Sequence, residues 1–296
     1  MSVDAKGVIH DIGYQRYDGP RLGRSYAMRS LYVQGLRTTY GLGRTAKAMI
    51  FPWIVVGLIF LVAAVLTAVR ATAGQMPLSY WAFPSAIVVL VVLFCAVVAP
   101  ELVSRDLRGG VLPLYFSRPL TRSDYALAKL AALMTAVFLL LAGPQLLMLI
   151  GGVFTVDGAS AVFHEILDFA RGLAVSGVYA LVFASLALLV ASLSGRRAVA
   201  AAMIVALFLI TTPVYGVLMG LAYSNSPDGV LTGGAADMAH LAGLVSPMML
   251  VDGVGQWWFT ANPVTGPYGP LYGLVALGLT VASVLLLLVR YRKVAR

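Results

Sequence analysis

Six stretches of the chain are apolar almost without interruption: about Ile50–Val69, Ala82–Ala99, Tyr125–Gly151, Leu173–Leu193, Ala198–Leu221 and Tyr268–Val289. An α-helix that crosses a hydrocarbon core needs about 20 such residues. Irregular backbone in lipid would leave amides unpaired, so each stretch is expected to be a helix. A β-barrel would show shorter, alternating segments instead. None of the six carries a charge in its middle, and Lys129 lies near one end of the third. The pattern predicts an all-α polytopic integral membrane protein with six transmembrane helices.

The polar positions between these stretches set the orientation. Residues 1–49 hold eight Lys or Arg, the second loop holds Arg105, Arg108, Arg118, Arg122 and Lys129, the fourth holds Arg196 and Arg197, and the tail holds four more. Only Arg70 and Arg171 fall in the other three loops, which carry Asp157, Glu165, Asp168, Asp228, Asp237 and Asp252. Lys and Arg collect on the cytoplasmic side, so both termini are expected there, and an even number of spans agrees.

Around the spans, residues 1–21 read as a cytoplasmic extension. Residues 22–44 read as an amphipathic helix on the inner membrane surface, with Leu22, Tyr26, Val33, Leu36 and Tyr40 on one face. Arg29 falls within that face, and Gly35, Gly41 and Gly43 weaken the helix. Residues 45–296 form the transmembrane domain. In the loop 222–267, the apolar run Met238–Leu250 is too short to span and is followed by Trp257, Trp258 and Phe259. Short interfacial or re-entrant helices are expected there.

Composition sharpens the class. The chain is 60% hydrophobic and 11% charged, whereas a soluble domain is about 25% charged. The net charge of +9 follows from basic cytoplasmic loops, and no soluble module is left to bind nucleic acid. The single Cys95 excludes an internal disulfide and reads as a small core residue. The first 49 residues lack a short apolar core, so the first span itself is expected to target the membrane.

Catalytic chemistry is hard to find. His164-Glu-Ile-Leu-Asp168 starts like HExxH, but Asp168 stands where the second histidine belongs. There is no GxSxG and no GxxxxGK[ST]. The predicted spans lack the buried Asp, Glu, His or Lys that ion-coupled carriers use. No catalytic, cofactor-binding or metal-binding residue is expected in this chain.

The segment 100–129 is the densest run of charge, glycine and proline. Glu101 ends the second span, and Arg105 lies one turn on, where the two can pair. Asp106 follows, and Gly109-Gly110 breaks the helix. Val111–Phe116 is a short apolar piece and Ser117–Arg122 turns back, with Ser123 or Asp124 available as the next N-cap. This run resembles the first cytoplasmic coupling loop of the type-2 family of ATP-binding-cassette (ABC) exporter permeases. The matching residues are Glu101, Gly110, Ser117-Arg118-Pro119, Arg122, Tyr125 and Lys129. Leu193-Ser-Gly-Arg-Arg197 resembles that family's second cytoplasmic loop, and Ser246-Pro247 lies where the family has an interfacial stretch.

The resemblance implies a plasma-membrane permease subunit that pairs with a second one, identical or homologous. Two separate ABC ATPase subunits would dock on its cytoplasmic loops and supply ATP and Mg. Glu101, Arg105, Asp106, Gly110, Ser117, Arg118, Pro119, Arg122, Lys129, Arg196 and Arg197 would form the docking and relay surface. Spans two and five line the pathway in that family, which points to Phe94, Met203, Phe208 and Met219. Few polar groups lie on these spans, which suits a hydrophobic or amphiphilic cargo. Pro144 with Gln145, and Thr211-Thr212-Pro213, are expected kinks. A secondary carrier, an intramembrane enzyme and a non-transporting membrane anchor are the other classes to weigh.

Overall fold

The structure, a computed structural model, describes residues 19, 22–43, 46–74, 77–110, 115, 120–224 and 231–294. All regular structure among them is helical. The helices are α1 (Arg24–Thr39), α2 (Ala46–Ala73), α3 (Phe83–Ala86), α4 (Val88–Arg108), α5 (Arg122–Val153), α6 (Ala159–Leu193), α7 (Arg197–Ser224), α8 (Gly233–Ala242), α9 (Pro247–Phe259) and α10 (Gly269–Val294). Helices α2, α5, α6, α7 and α10 are long and apolar enough to cross a membrane. Their outward faces carry large apolar side chains, such as Leu61, Ile210, Val217, Leu274 and Leu277. Such continuous apolar surface belongs in lipid, and the chain is a membrane-embedded protein.

Helices α5 and α6 form the centre. In the most apolar stretch of α6, 61% of residues are buried, against 17% in α7. Small residues make this possible. Ala128, Ala132 and Ala136 recur every fourth residue on α5, and Ala180, Ala184, Ala187 and Ala191 line α6, all buried. Lipid tails are as apolar as leucine, so close contact between small residues, and polar bonds, hold such helices together. Gln145 on α5 donates to Ser176 Oγ at 2.8 Å, and Ser176 donates to the Gly172 carbonyl at 2.8 Å.

The bundle has two chemically distinct ends. At the basic end meet the start of α5, the end of α4, the α6–α7 turn and the end of α10. Arg290 there donates to the Ser192 carbonyl at 2.6 Å, and Arg122 donates to the Arg292 carbonyl at 3.0 Å. The far end holds the end of α2, residues 79–81 and the first turns of α6. Helix α4 runs from the far end to the basic end, so the chain passes between the ends six times. The apolar part of α4, Val88–Ser104, is shorter than the other crossings. The stretch predicted as Ala82–Ala99 is two pieces, α3 and α4, and α4 continues through Pro100 to Arg108.

Several local expectations change. Helix α5 starts at Arg122, and its N-cap is Thr121 rather than Ser123 or Asp124. The Thr121 hydroxyl accepts from the Asp124 amide at 3.3 Å, and Asp124 accepts from the Thr121 amide at 3.0 Å. This reciprocal box satisfies two amides that a helix start leaves unpaired. Helix α6 begins at Ala159, not Leu173, and its 35 residues extend about 50 Å. Its first turns therefore project past a core about 30 Å thick. The helices continue through Pro144 and Pro213.

The face of α1 also differs. Its buried stripe is Leu31, Gly35 and Thr39, while Leu22 and Tyr26 are more than half exposed. Gly35 is the reason: a Cβ there would lie 2.9 Å from Ala132 Cβ, so the glycine lets α1 lie directly on α5. Tyr32 bonds Thr135 at 3.1 Å and Tyr40 donates to the Ala136 carbonyl at 2.9 Å. Helix α1 thus packs along the opening turns of α5. Burial raises the Tyr40 hydroxyl to about 12, so it stays a donor.

Helices α8 and α9 bend by 117° at Ser246. Ser246 meets Thr211 in the middle of α7 at 3.3 Å. Tyr272 donates to the His240 carbonyl at 2.7 Å and Tyr268 donates to Asp237 at 3.0 Å. Two short helices thus stand where the sequence predicts short interfacial or re-entrant helices, and their bend packs against the middle of α7.

Candidate functional site

Charge concentrates at the basic end, and the acidic residues Asp124, Asp106 and Glu101 are each paired with a cation on another helix. Glu101, midway along α4 and directly after Pro100, bonds Arg197 at the first residue of α7. The pair joins α4 to the start of α7. Deeper in, Asp106 on α4 takes Lys129 from α5 at 3.1 Å and the Tyr125 hydroxyl at 2.6 Å. Lys129 also sits 5.5 Å from the Tyr125 ring centre. Tyr125 is fully buried, with the Tyr115 and Tyr291 rings 5.5 and 5.3 Å away. At the surface, Arg24 of α1 grips both oxygens of Asp124 at 2.7 Å. That carboxylate keeps the Arg24 guanidinium above its ordinary pKa.

These contacts hold four of the residues picked out for docking in two pairs that share α4: Glu101 with Arg197 of α7, and Asp106 with Lys129 of α5. Arg122 ties α5 to α10. Arg196 is exposed beside it, its amide donating to Ser194 Oγ at 3.1 Å. Gly110 follows α4 with φ +61°, a turn that suits glycine. Arg105 lies in the last turns of α4. Ser117, Arg118 and Pro119 lie outside the described residues, as does the extension 1–18. Glu101 has a partner 96 positions away in Arg197. Lys129 and Asp106 are mostly enclosed, so they transmit between helices rather than present charge.

The residues picked out for a pathway are not on one surface. Phe94 and Phe208 are fully buried. Phe94 packs 6.0 Å from the Tyr40 ring, and Phe208 stacks on Phe183 at 4.5 Å. Met203 and Met219 are half-buried on α7.

The far end holds a second polar site that the pattern of residues hid. Arg70 of α2 reaches Glu165 of α6 with two nitrogens, at 2.5 and 2.8 Å, and Tyr80 donates to the same carboxylate. All three residues are at most 8% exposed. Burial, then the bond to Glu165, pushes the Tyr80 hydroxyl well above its ordinary pKa. Helix α5 passes under the pair. A Cβ on Gly152 would lie 2.5 Å from Glu165 Oε1 and 2.6 Å from Arg70 Nη1, so a glycine is required for the pair to close. Around this floor lies a cavity of about 330 Å³ also lined by Ser79, Trp81, Asp168, Arg171 and Phe259. Among the described residues no group of three or more His, Cys, Asp or Glu is placed to hold a metal ion.

No family model matches the chain, and no curated protein matches it.

Proposed function

We propose that the protein is the permease subunit of an ABC exporter, with ATP hydrolysed by a partner chain. The observation that carries this reading is the Glu101–Arg197 link, set beside the Asp106–Lys129–Tyr125 cluster. The helix ends that flank the two basic loops are fastened there, α4 to α7 through Glu101–Arg197 and α4 to α5 through Asp106–Lys129. A protein that pushes on either loop moves three membrane helices together. Glu101 also serves no orientation rule, because only Lys and Arg set topology.

In this reading the six passes are six membrane spans, the basic end faces the cytoplasm and both termini lie there. The membrane is the plasma membrane. A second permease, identical or homologous, covers part of the exposed apolar face, and two ABC ATPase subunits dock on the loops and bind ATP and Mg. Closure of the ATPases would move the loop after α4 and open the space between permeases to a hydrophobic or amphiphilic cargo. A gradient-driven carrier would need a carboxylate able to take a proton or ion. At the far end the buried Glu165 is a carboxylate of that kind, but Arg70 and Tyr80 occupy its oxygens. A non-transporting anchor would retain its partner but move no cargo.

The test is to express the chain with its neighbouring reading frames, purify it in mild detergent and identify what stays bound by mass spectrometry. A P-loop ATPase that stays with wild type and is lost with Glu101→Arg supports the reading. A chain that purifies without any ATPase refutes it.

A further inference from the structure

The far-end cavity has the chemistry of a small-ligand site. Its floor is closed: Arg70, Tyr80 and Glu165 satisfy one another. Its rim is not. Arg171 meets Asp168 at 2.6 Å through one guanidinium nitrogen, and both side chains are about half exposed, at 53% and 51%. A half-exposed pair three residues apart on one helix is weakly held and gives way to better partners. The Arg171 guanidinium rests 5.9 Å from the Phe259 ring centre. Trp81 lines the same cavity.

We propose that this cavity binds a zwitterionic phosphate ester of headgroup size, with Arg171 taking the phosphate and Asp168 with Trp81 taking the ammonium. Four arguments converge. A planar guanidinium matches two phosphate oxygens at once. An ammonium gains from both a carboxylate and an indole face. Ligands of one sign fit badly, since a bare anion would confront Asp168 and Glu165 and a bare cation would confront Arg171 and Arg70. The volume of about 330 Å³ lies at the small end of ligand sites. The depth also fits: Trp81, Trp257, Trp258 and Phe259 cluster at this end, and such aromatics sit at headgroup level. The chemistry is shared by a membrane lipid headgroup and by a free phosphoethanolamine-type ester.

The test uses the full chain in maltoside detergent and native mass spectrometry, and needs no partner ATPase. The probes are short-chain phosphatidylethanolamine, short-chain phosphatidylglycerol and soluble glycerophosphoethanolamine. Wild type should retain the ethanolamine lipid about 10-fold better than the glycerol lipid. Asp168→Asn, which keeps the phosphate partner and removes the ammonium partner, should erase that preference while leaving glycerol-lipid retention intact. Arg171→Ala should weaken both lipids. Displacement by glycerophosphoethanolamine identifies the headgroup as sufficient, and lack of displacement identifies a lipid. Equal retention of the two lipids by wild type, or an Asp168→Asn chain with unchanged preference, overturns the proposal. A merely structural Asp168 would lower both lipids together, which also overturns it.

Discussion

Removing the Glu165 carboxylate should expose how much the far-end clamp contributes to stability. In Glu165→Ala, Arg70 remains 8% exposed, having lost two charged bonds, and Tyr80 loses its acceptor. Breaking a buried ion pair by removing one partner costs about 3–5 kcal/mol. The cavity beside the pair lets water reach the orphaned guanidinium, so the lower end applies, about 3 kcal/mol. At about 2 °C per kcal/mol for a chain of this size, the midpoint should fall by about 6 °C. The decisive comparison is the double variant Arg70→Met with Glu165→Leu. Replacing both charges with apolar groups of similar volume is often neutral or stabilising, so most of the loss should return.

The assay is thermal loss of the monodisperse peak in detergent, run on wild type, both single variants and the double variant. The reasoning fails if the single changes shift the midpoint by less than about 1 °C. It also fails if the double variant loses the sum of the singles, because residues in one network should be strongly non-additive. Gly152→Ala is an independent check. It leaves all charges in place but puts a methyl within 2.6 Å of both partners, and it should destabilise by about 1–3 kcal/mol through overpacking.

Other outcomes follow from the same structure. Gly35→Val should loosen α1 from α5 and lower the melting midpoint, as the first added carbon already meets Ala132 at 2.9 Å and overpacking costs about 1–3 kcal/mol. Lys129→Met should cost about 3 kcal/mol by leaving Asp106 poorly matched, and the same melt measures it. Glu101→Arg should change the melt by less than about 1 kcal/mol, since Arg197 is 47% exposed. It should abolish stimulation of the partner ATPase, and adding Arg197→Glu should restore part of it. Cys95 is fully buried and should react with maleimide only after denaturation, read by mass shift.

The crossings were legible because long apolar runs admit few other structures. The short pair α8 and α9 was legible for the opposite reason, an apolar run too short to cross. The stripe by which α1 meets α5 was not legible, because it is centred on Gly35 and Thr39 and hydropathy rewards Leu22 and Tyr26 instead. The helical turn at His164–Asp168 was legible as an approach to the fourth span, but its polar residues hid how far the continuous helix extends, back to Ala159. The Arg70–Glu165 pair carries no local signal, as its members stand 95 positions apart. The clue available was that Arg70 and Arg171 alone break the basic asymmetry of the loops. For Glu101, helical spacing offers Arg105 as a partner and cannot see Arg197, which stands 96 positions away.

The grip of Arg24 on Asp124 spans 100 positions, and this sets an order for assembly. The first helix is made early, but its seat on α5 does not exist until α5 has emerged. At about 5–20 residues per second, α1 waits several seconds with Leu31 and Gly35 uncovered. During that time it must rest against lipid or a chaperone, and docking follows only when α5 arrives to complete its own cap. The beginning of the chain is therefore among the later pieces to be locked in place, and a ribosome stalled before Asp124 would hold an N-terminal helix with nowhere to go.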